Sequence, residues 1–172
     1  MVRSNKVDLH EMANPACRKC RNREERCQDE SNGFCDEATS VVDGGPVRCV
    51  GDWAVQKLHF LTQYVGIFGP GMKAKWGGHI QYVEICSGPG RCLMRRSGIE
   101  IDGTPLAVLQ HPAFASFETA TFLDFDTKVV AAVNDRIRRL GLQSKAQALE
   151  ADYNDAASVL SGPARQRPLQ HP

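Results

Sequence analysis

Apolar residues recur at helical spacing in the stretch VGDWAVQKLHFLTQYVGIFGPG. The pattern predicts an amphipathic helix, and Asp52 stands where its side chain can cap the first turn. Gly69-Pro70-Gly71 is expected to end the helix, because glycine and proline together are a common stop signal. The apolar positions of this predicted helix are Trp53, Leu58, Leu61, Tyr64, Val65 and Phe68.

Short apolar runs after this helix predict three strands. The run from Ile80 to Cys86 contains β-branched residues between Gly-rich ends, which is typical of a buried strand. A second strand is predicted from Ala120 to Asp126. A weaker third strand is predicted from Gln147 to Asp152.

Two helical patterns lie between these strands. The first has Thr104 as its predicted cap and Pro105 at its first helical position. The second begins after Asp126, its predicted cap, and ends at Gly141. Because strands alternating with helices favour a parallel sheet, we predict an α/β fold. Its expected architecture is a Rossmann-like parallel sheet preceded by an amphipathic helix and a Cys-rich N-terminal segment.

The composition fits one globular domain of 172 residues, with 42% hydrophobic and 24% charged residues. A net charge of +1 gives no global reason to expect nucleic acid or an acidic membrane as a partner. No run is apolar enough to span a bilayer, and the N-terminus lacks the apolar stretch of a secretory signal. Seven cysteines without a signal are typical of a reducing compartment, so we expect a cytoplasmic protein. The predicted organisation is a Cys-rich polar segment over 1–50, the sheet domain over 51–161 and a Pro-rich tail over 162–172.

Acidic residues stand at the ends of all three predicted strands. They are Glu84 in the first, Asp124 with Asp126 in the second, and Asp152 after the third. Ligands of open parallel sheets bind beyond the carboxyl ends of the strands, and a buried carboxylate needs water, a partner or a ligand. An acid after the second strand can accept hydrogen bonds from ribose hydroxyls, and one after the third can accept from an exocyclic amine. The three positions together predict a nucleoside-like ligand.

Plainer interpretations stay open for two of these acids. Asp126 can be a helix cap only, and Asp152 can be a solvated loop residue. Gly88 and Gly90 let backbone N–H groups approach a ligand, but Gly88-Pro89-Gly90 does not run directly into a helix. The insert RCLMRRSGIEIDG separates the turn from the next helix, so a ligand without a phosphate beside the glycines fits better than NAD.

The stretch YVEICSGPG resembles motif I of class I S-adenosylmethionine-dependent methyltransferases, with Glu84 at the acidic position of the DLFAGPG-like form. From about Val41 to Leu160 the chain is similar to the three-Cys-motif partner family (TcmP), including the strings DGTPLAVL and FLDFD. The spaced residues that carry this likeness ahead of the first strand are Trp53, Lys57, Leu61 and Tyr64. The resemblance implies a partial class I methyltransferase fold, S-adenosylmethionine as cofactor, and residues 51–161 as a cofactor-binding half-domain.

The resemblance also implies a role for each residue of the site. The acid of motif I would meet the methionine moiety, and the turn after it would leave room for the cofactor. The first acid after the second strand would hold the ribose with the next acid beside it, and the acid after the third strand would contact adenine. In chain order these residues are Glu84, Ser87, Gly88, Gly90, Asp124, Asp126 and Asp152.

Two departures from the family pattern affect the expected function. Cys86 and Ser87 replace an aromatic residue and an alanine. After Leu160 the sequence supplies no fourth strand with the acid-Pro motif that methyltransferases place beside the transferred methyl. We therefore expect a methyltransferase-like protein truncated before its acceptor half, with an unpaired edge strand. The alternative is a non-catalytic interaction partner of a neighbouring radical-type enzyme, the three-Cys-motif protein to which the family name refers.

Four cysteines near the N-terminus suggest a metal site. Cys17 and Cys20 have the spacing of zinc ligands, whereas Cys27 and Cys35 are too far apart for the usual second pair. The stretch CRKCRNREERC is also basic, so a zinc-dependent nucleic-acid-binding module is a third hypothesis. Incidental thiols in a polar arm are the plainer interpretation.

Overall fold

The computed structural model describes residues 38–95, 97–155 and 158. The predicted zinc ligands, Cys17, Cys20, Cys27 and Cys35, lie outside these residues, as does the tail over 162–172. The strands are β1 (Arg48–Val50), β2 (Gln81–Ile85), β3 (Arg91–Met94), β4 (Glu100–Asp102), β5 (Thr119–Asp124) and β6 (Ala146–Glu150). The α-helices are α1 (Trp53–Lys75), α2 (Thr104–Leu109) and α3 (Thr127–Arg139), and two short 3₁₀ helices cover Pro112–Ser116 and Tyr153–Asp155.

A three-stranded parallel sheet confirms the predicted α/β class. Its strand order is β2-β5-β6, and both pairs of neighbours are parallel. The chain returns from β2 to β5 through α2 and from β5 to β6 through α3. Parallel strands need such crossovers, so the three carboxyl ends meet at one edge, as the sequence predicts.

One face of this sheet packs against the helices. Tyr82, Ala120 and Ala146 stand side by side in the register of the three strands and face the core. On the same face, Phe122 is fully buried. Burying a side chain of that size contributes roughly 2–3 kcal/mol. The helices and the first 3₁₀ helix contribute Val65, Val108, Leu109, Phe114, Phe117, Val129, Val133 and Ile137 to the same core.

The helix α1 is longer than predicted. It continues through Gly69-Pro70-Gly71 to Lys75, so the prediction of a stop at these residues is wrong. A Cβ on Gly69 would lie 2.8 Å from Cε2 of Phe117, which shows that this glycine admits close packing and does not end the helix. The helix ends before Gly77 and Gly78, both of which have positive φ. Asp52 precedes the helix but makes no side-chain cap hydrogen bond.

The other helix ends agree more closely with the sequence. Asp126 caps α3 as predicted, accepting a hydrogen bond from the backbone N–H of Lys128 at 2.8 Å. Gly141 follows the end of α3 with φ of 70°, also as predicted. For α2 the cap is Gly103 and not Thr104, which is the first helical residue. None of the helices within the described residues is apolar enough over a sufficient length to cross a membrane.

A second, smaller sheet was missed at the sequence level. Its order is β1-β3-β4, with β3 parallel to β1 and antiparallel to β4. The end of the polar segment predicted over 1–50 therefore forms β1, and the insert after the glycines forms the β3–β4 hairpin. Val47 and Leu93 bury their side chains between these strands.

Candidate functional site

The turn after β2 has an unusual backbone. Cys86, Gly88 and Gly90 all have positive φ, at 56°, 67° and 89°. Only glycine adopts this region without steric cost, so the two glycines suit their positions and Cys86 is the strained member. The turn lies at the carboxyl end of β2, where the sequence predicts it.

Asp124 joins this turn to the next strand. Its Oδ2 accepts a hydrogen bond from the backbone N–H of Gly88 at 2.9 Å, and its Oδ1 accepts one from the N–H of Asp126 at 3.2 Å. The side chain is only 6% exposed. The carboxylate predicted to hold a ribose therefore already stabilises the turn, and the Gly88 N–H is directed at Asp124.

Arg136 of α3 supports the same turn from below and was missed at the sequence level. Its guanidinium is 3% exposed and donates to the carbonyl oxygens of Pro89 and Pro46. It also forms a two-point ion pair with Asp43, whose pKa it holds well below its usual range. An arginine beside Val133 and Ile137 on the apolar face of a helix was the available signal.

Glu84 lies in a polar cluster under the start of α2. Its carboxyl group accepts hydrogen bonds from the hydroxyls of Tyr82, at 3.2 Å, and Thr104. Burial raises the pKa of Glu84 to about 7, and the hydroxyls and the positive charge of Lys57 only partly oppose this effect. A carboxyl group with a pKa in this range can exchange a proton near neutral pH.

A pocket of about 430 Å³ opens beside the glycine turn. This volume lies in the range of small-molecule sites, about 300–1,000 Å³. Its walls come from β1, the N-terminal part of α1, the turn, β3 and the start of α2. The lining residues include Arg48, Trp53, Lys57, Leu58, Ser87, Gly88, Gly90, Arg95 and Thr104.

Close backbone contacts shape the floor of this pocket. The N–H of Gly103 donates to the carbonyl oxygen of Gly90 at 2.8 Å. A Cβ on Gly103 would lie 2.9 Å from the carbonyl carbon of Gly90, so a larger residue would push the turn and α2 apart. Arg48 reaches over the turn, where its Nη1 would be 3.6 Å from a Cβ on Gly88.

The structure divides the predicted cofactor residues into two groups. Ser87, Gly88 and Gly90 line the pocket, and Glu84 adjoins it through Thr104. The acids after β5 and β6 lie outside the pocket wall. Of these, Asp126 caps α3, and Asp152 is exposed and accepts from the backbone N–H of Asn154 at 2.8 Å. The contacts of Asp126 are therefore those of a helix cap, and the contacts of Asp152 are those of an exposed loop residue.

Three thiols also line the pocket: Cys49, Cys86 and Cys92. Burial raises the pKa of Cys92 to about 11, so this residue stays a neutral thiol at physiological pH. Cys86 is exposed. Among the residues that the structure describes, these thiols and the acids do not form a group of three side chains able to hold a metal ion.

No known protein-family model matches the chain, and no curated protein sequence matches it. The likeness to the TcmP family and to class I methyltransferases therefore stays a prediction from the quoted motifs.

Proposed function

We propose that the chain binds S-adenosylmethionine as a methyltransferase-like protein. The observation that carries the proposal is the turn after β2, whose left-handed residues open onto a pocket of about 430 Å³ beside the carboxyl end of that strand. This is the position at which open α/β sheets bind nucleoside-containing ligands. The motif likeness of YVEICSGPG supports the same cofactor.

The pocket chemistry suits the methionine end of the cofactor. In this proposal the methionine part lies beside Ser87 and Gly88, and the amino group of Lys57 attracts its carboxylate. The adenosine part extends along the carboxyl edge of the sheet, where Asp126 and Asp152 supply acceptors for hydroxyl and amino groups. Asp124 acts indirectly, because its hydrogen bond to Gly88 holds the turn in shape.

Titration calorimetry of the full chain with S-adenosylmethionine and S-adenosylhomocysteine tests this proposal. We expect saturable binding of both, weakened about tenfold by Lys57→Ala, since a charge-assisted contact contributes roughly 1.5–3 kcal/mol. Lys73→Ala is the matched control, because Lys73 is exposed on the same helix but does not line the pocket.

A second pair of variants tests the far end of the ligand. Asp152→Ala should weaken binding of both nucleoside compounds, whereas Asp155→Ala, in the exposed 3₁₀ helix that follows Asp152, should not. The proposal is wrong if a folded chain, judged by circular dichroism, gives no binding heat up to millimolar cofactor.

A second candidate function is a non-catalytic partner of a neighbouring radical-type enzyme. Exposed apolar side chains on α1 and on β2 favour it, because a soluble monomer seldom shows several large ones on one element. Co-purification with that neighbour, unchanged by Glu84→Ala, would support this function. If Glu84→Ala instead abolishes both co-purification and cofactor binding, this function is contradicted.

A further inference from the structure

The outward side of α1 carries a stripe of large apolar residues. Trp53, Phe60, Tyr64 and Ile67 are all exposed, and Ile67 is 78% exposed. At 3.6 residues per turn these four positions fall within a sector of about 60°. The opposite side of the helix holds the buried residues, among them Val65 and Gly69. The apolar stripe of α1, defined by these four exposed residues, is thus separate from the core.

The charged side chains of α1 itself have one sign. The segment Trp53–Lys75 contains no aspartate or glutamate, and it contains three lysines. By helical geometry, Lys57 lies on one flank of the apolar stripe, and Lys75 lies on the same line beyond its end. A surface of this kind is complementary to an apolar face that is bordered by acidic residues.

Ring contacts hold part of the stripe in position. The ring of Tyr64 stacks on Phe68 with centroids 5.2 Å apart, and Phe68 contacts Trp76 at 6.3 Å. A side chain that is already ordered loses less conformational entropy when a partner binds. The stripe is therefore partly ordered for binding at Tyr64.

The stripe also reaches the pocket. Trp53 stands at its N-terminal end, and both Trp53 and Lys57 line the pocket beside the glycine turn. An occupant of the stripe would border the mouth of the pocket.

We propose that the apolar stripe of α1 docks an amphipathic helix of a partner protein, with apolar side chains on one face and acidic residues beside them. The stripe from Trp53 to Ile67 is about 21 Å long, which matches a partner helix of about 14 residues. This inference deepens the second candidate function and does not depend on cofactor binding.

Two synthetic helical peptides test the proposal on the full chain. Each has about 18 residues with leucines at helical spacing, and their flanking positions carry glutamate in one peptide and lysine in the other. Fluorescence anisotropy should show saturable binding of the glutamate peptide, at least about tenfold tighter than that of the lysine peptide. Equal binding of both, or of neither, overturns the proposal.

Matched variants connect this binding to the stripe. Phe60→Ser and Ile67→Ser should each weaken binding of the glutamate peptide about tenfold, since each removes an exposed apolar side chain that contacts the peptide in this proposal. Val55→Ser is the control, because Val55 is also exposed but lies on another side of α1. Lys57→Glu should weaken binding of the glutamate peptide, and Lys73→Glu should not. Equal effects of stripe and control variants overturn the proposal. Cofactor titration of Phe60→Ser and Ile67→Ser, which do not line the pocket, separates this result from a failure of the cofactor site.

A photoreactive residue at position 60 separates the remaining occupants. Crosslinks from position 60 to the glutamate peptide, formed while other copies of the chain compete for the stripe, support the proposal. Crosslinks to a second copy, or to residues 1–37 of the same chain, that the peptide does not displace would show that another occupant covers the stripe and would overturn it.

Discussion

The guanidinium of Arg136 holds both carboxylate oxygens of Asp43, with Nε–Oδ2 and Nη2–Oδ1 distances of 2.8 Å. The two residues are 93 positions apart in the chain. Since Arg136 also donates to Pro89, the pair connects the segment before β1, the glycine turn and α3. The shape of the pocket floor therefore depends on a buried ion pair outside the pocket.

Replacement of Arg136 by methionine should destabilise the fold strongly. The change leaves the Asp43 carboxylate with only Arg91, at 3.3 Å, and the backbone N–H of Gly45 as partners. Since an unpaired buried charge costs about 3–5 kcal/mol, this partly paired one should cost somewhat less. Urea unfolding followed by circular dichroism measures the loss. Arg138→Met is the control, because Arg138 pairs with Asp135 at the surface and should change the free energy of unfolding by no more than about 1 kcal/mol. The double variant Asp43→Asn/Arg136→Met should recover part of the loss, and no recovery would contradict this account.

Asp124→Ala should destabilise the chain by about 1–3 kcal/mol, because the buried N–H of Gly88 loses its acceptor. Asp126→Ala removes only a helix cap and should cost about 1 kcal/mol. Urea unfolding compares the two. A second consequence is visible by NMR, since the Gly88 amide should exchange with solvent faster in Asp124→Ala than in Asp126→Ala. Equal exchange rates would contradict the assigned role of Asp124.

The stability of the chain should fall as the pH rises from about 4.5 to about 7. Glu84 has its pKa raised from 4.5 to about 7, so the folded chain keeps a proton that the unfolded chain releases in this window. The contribution of the protonated group is fully present below pH 4.5 and amounts to at most about 3 kcal/mol. Urea unfolding at several pH values should show this slope in the natural chain and a flatter one in Glu84→Gln.

The pKa shift of Asp43 should have the opposite effect: it should make the stability of the chain fall as the pH decreases below about 4. Its pKa is lowered by Arg136, so its stabilising contribution is complete above its ordinary value of 3.8 and is lost as the pH falls below it. Asp43→Asn should reduce the acid sensitivity of unfolding below pH 4. Unchanged acid sensitivity in Asp43→Asn would show that the ion pair does not contribute as described.

Two glycines two positions apart in α1 should respond oppositely to alanine. At Gly69 the new Cβ would be 2.8 Å from Phe117 and 3.2 Å from the carbonyl oxygen of Ala113, so Gly69→Ala should cost about 1–3 kcal/mol. At Gly71 nothing lies within 4 Å, and alanine favours a helix, so Gly71→Ala should add about 0.5–1 kcal/mol. Thermal unfolding distinguishes them. A stabilised Gly69→Ala would mean that this glycine does not mediate the contact with the 3₁₀ helix.

The strands β2, β5 and β6 and the helix α3 could be predicted from sequence because their signals are local. Each is an apolar run or period between its own caps and glycines, such as Asp126 and Gly141 around α3. The end of α1 could not be predicted from sequence. A glycine such as Gly69 looks the same in the sequence whether it ends a helix or makes room for a neighbouring ring, here that of Phe117. The strands of the smaller sheet have only three or four residues each, and pairing between β1 and β3 across more than 40 positions makes them strands.

The sequence by itself determined which residues stand at the carboxyl edge of the parallel sheet. Each strand is followed directly in the chain by its turn or acid, and parallel strands bring their carboxyl ends to the same edge. Only the tertiary structure decided how the polar groups are used. It directs Asp124 to Gly88, brings Arg136 to Asp43 and encloses Glu84 with Tyr82 and Thr104. The physical reason is that a buried polar group must find its partner wherever the fold brings one, at a separation that periodicity does not encode.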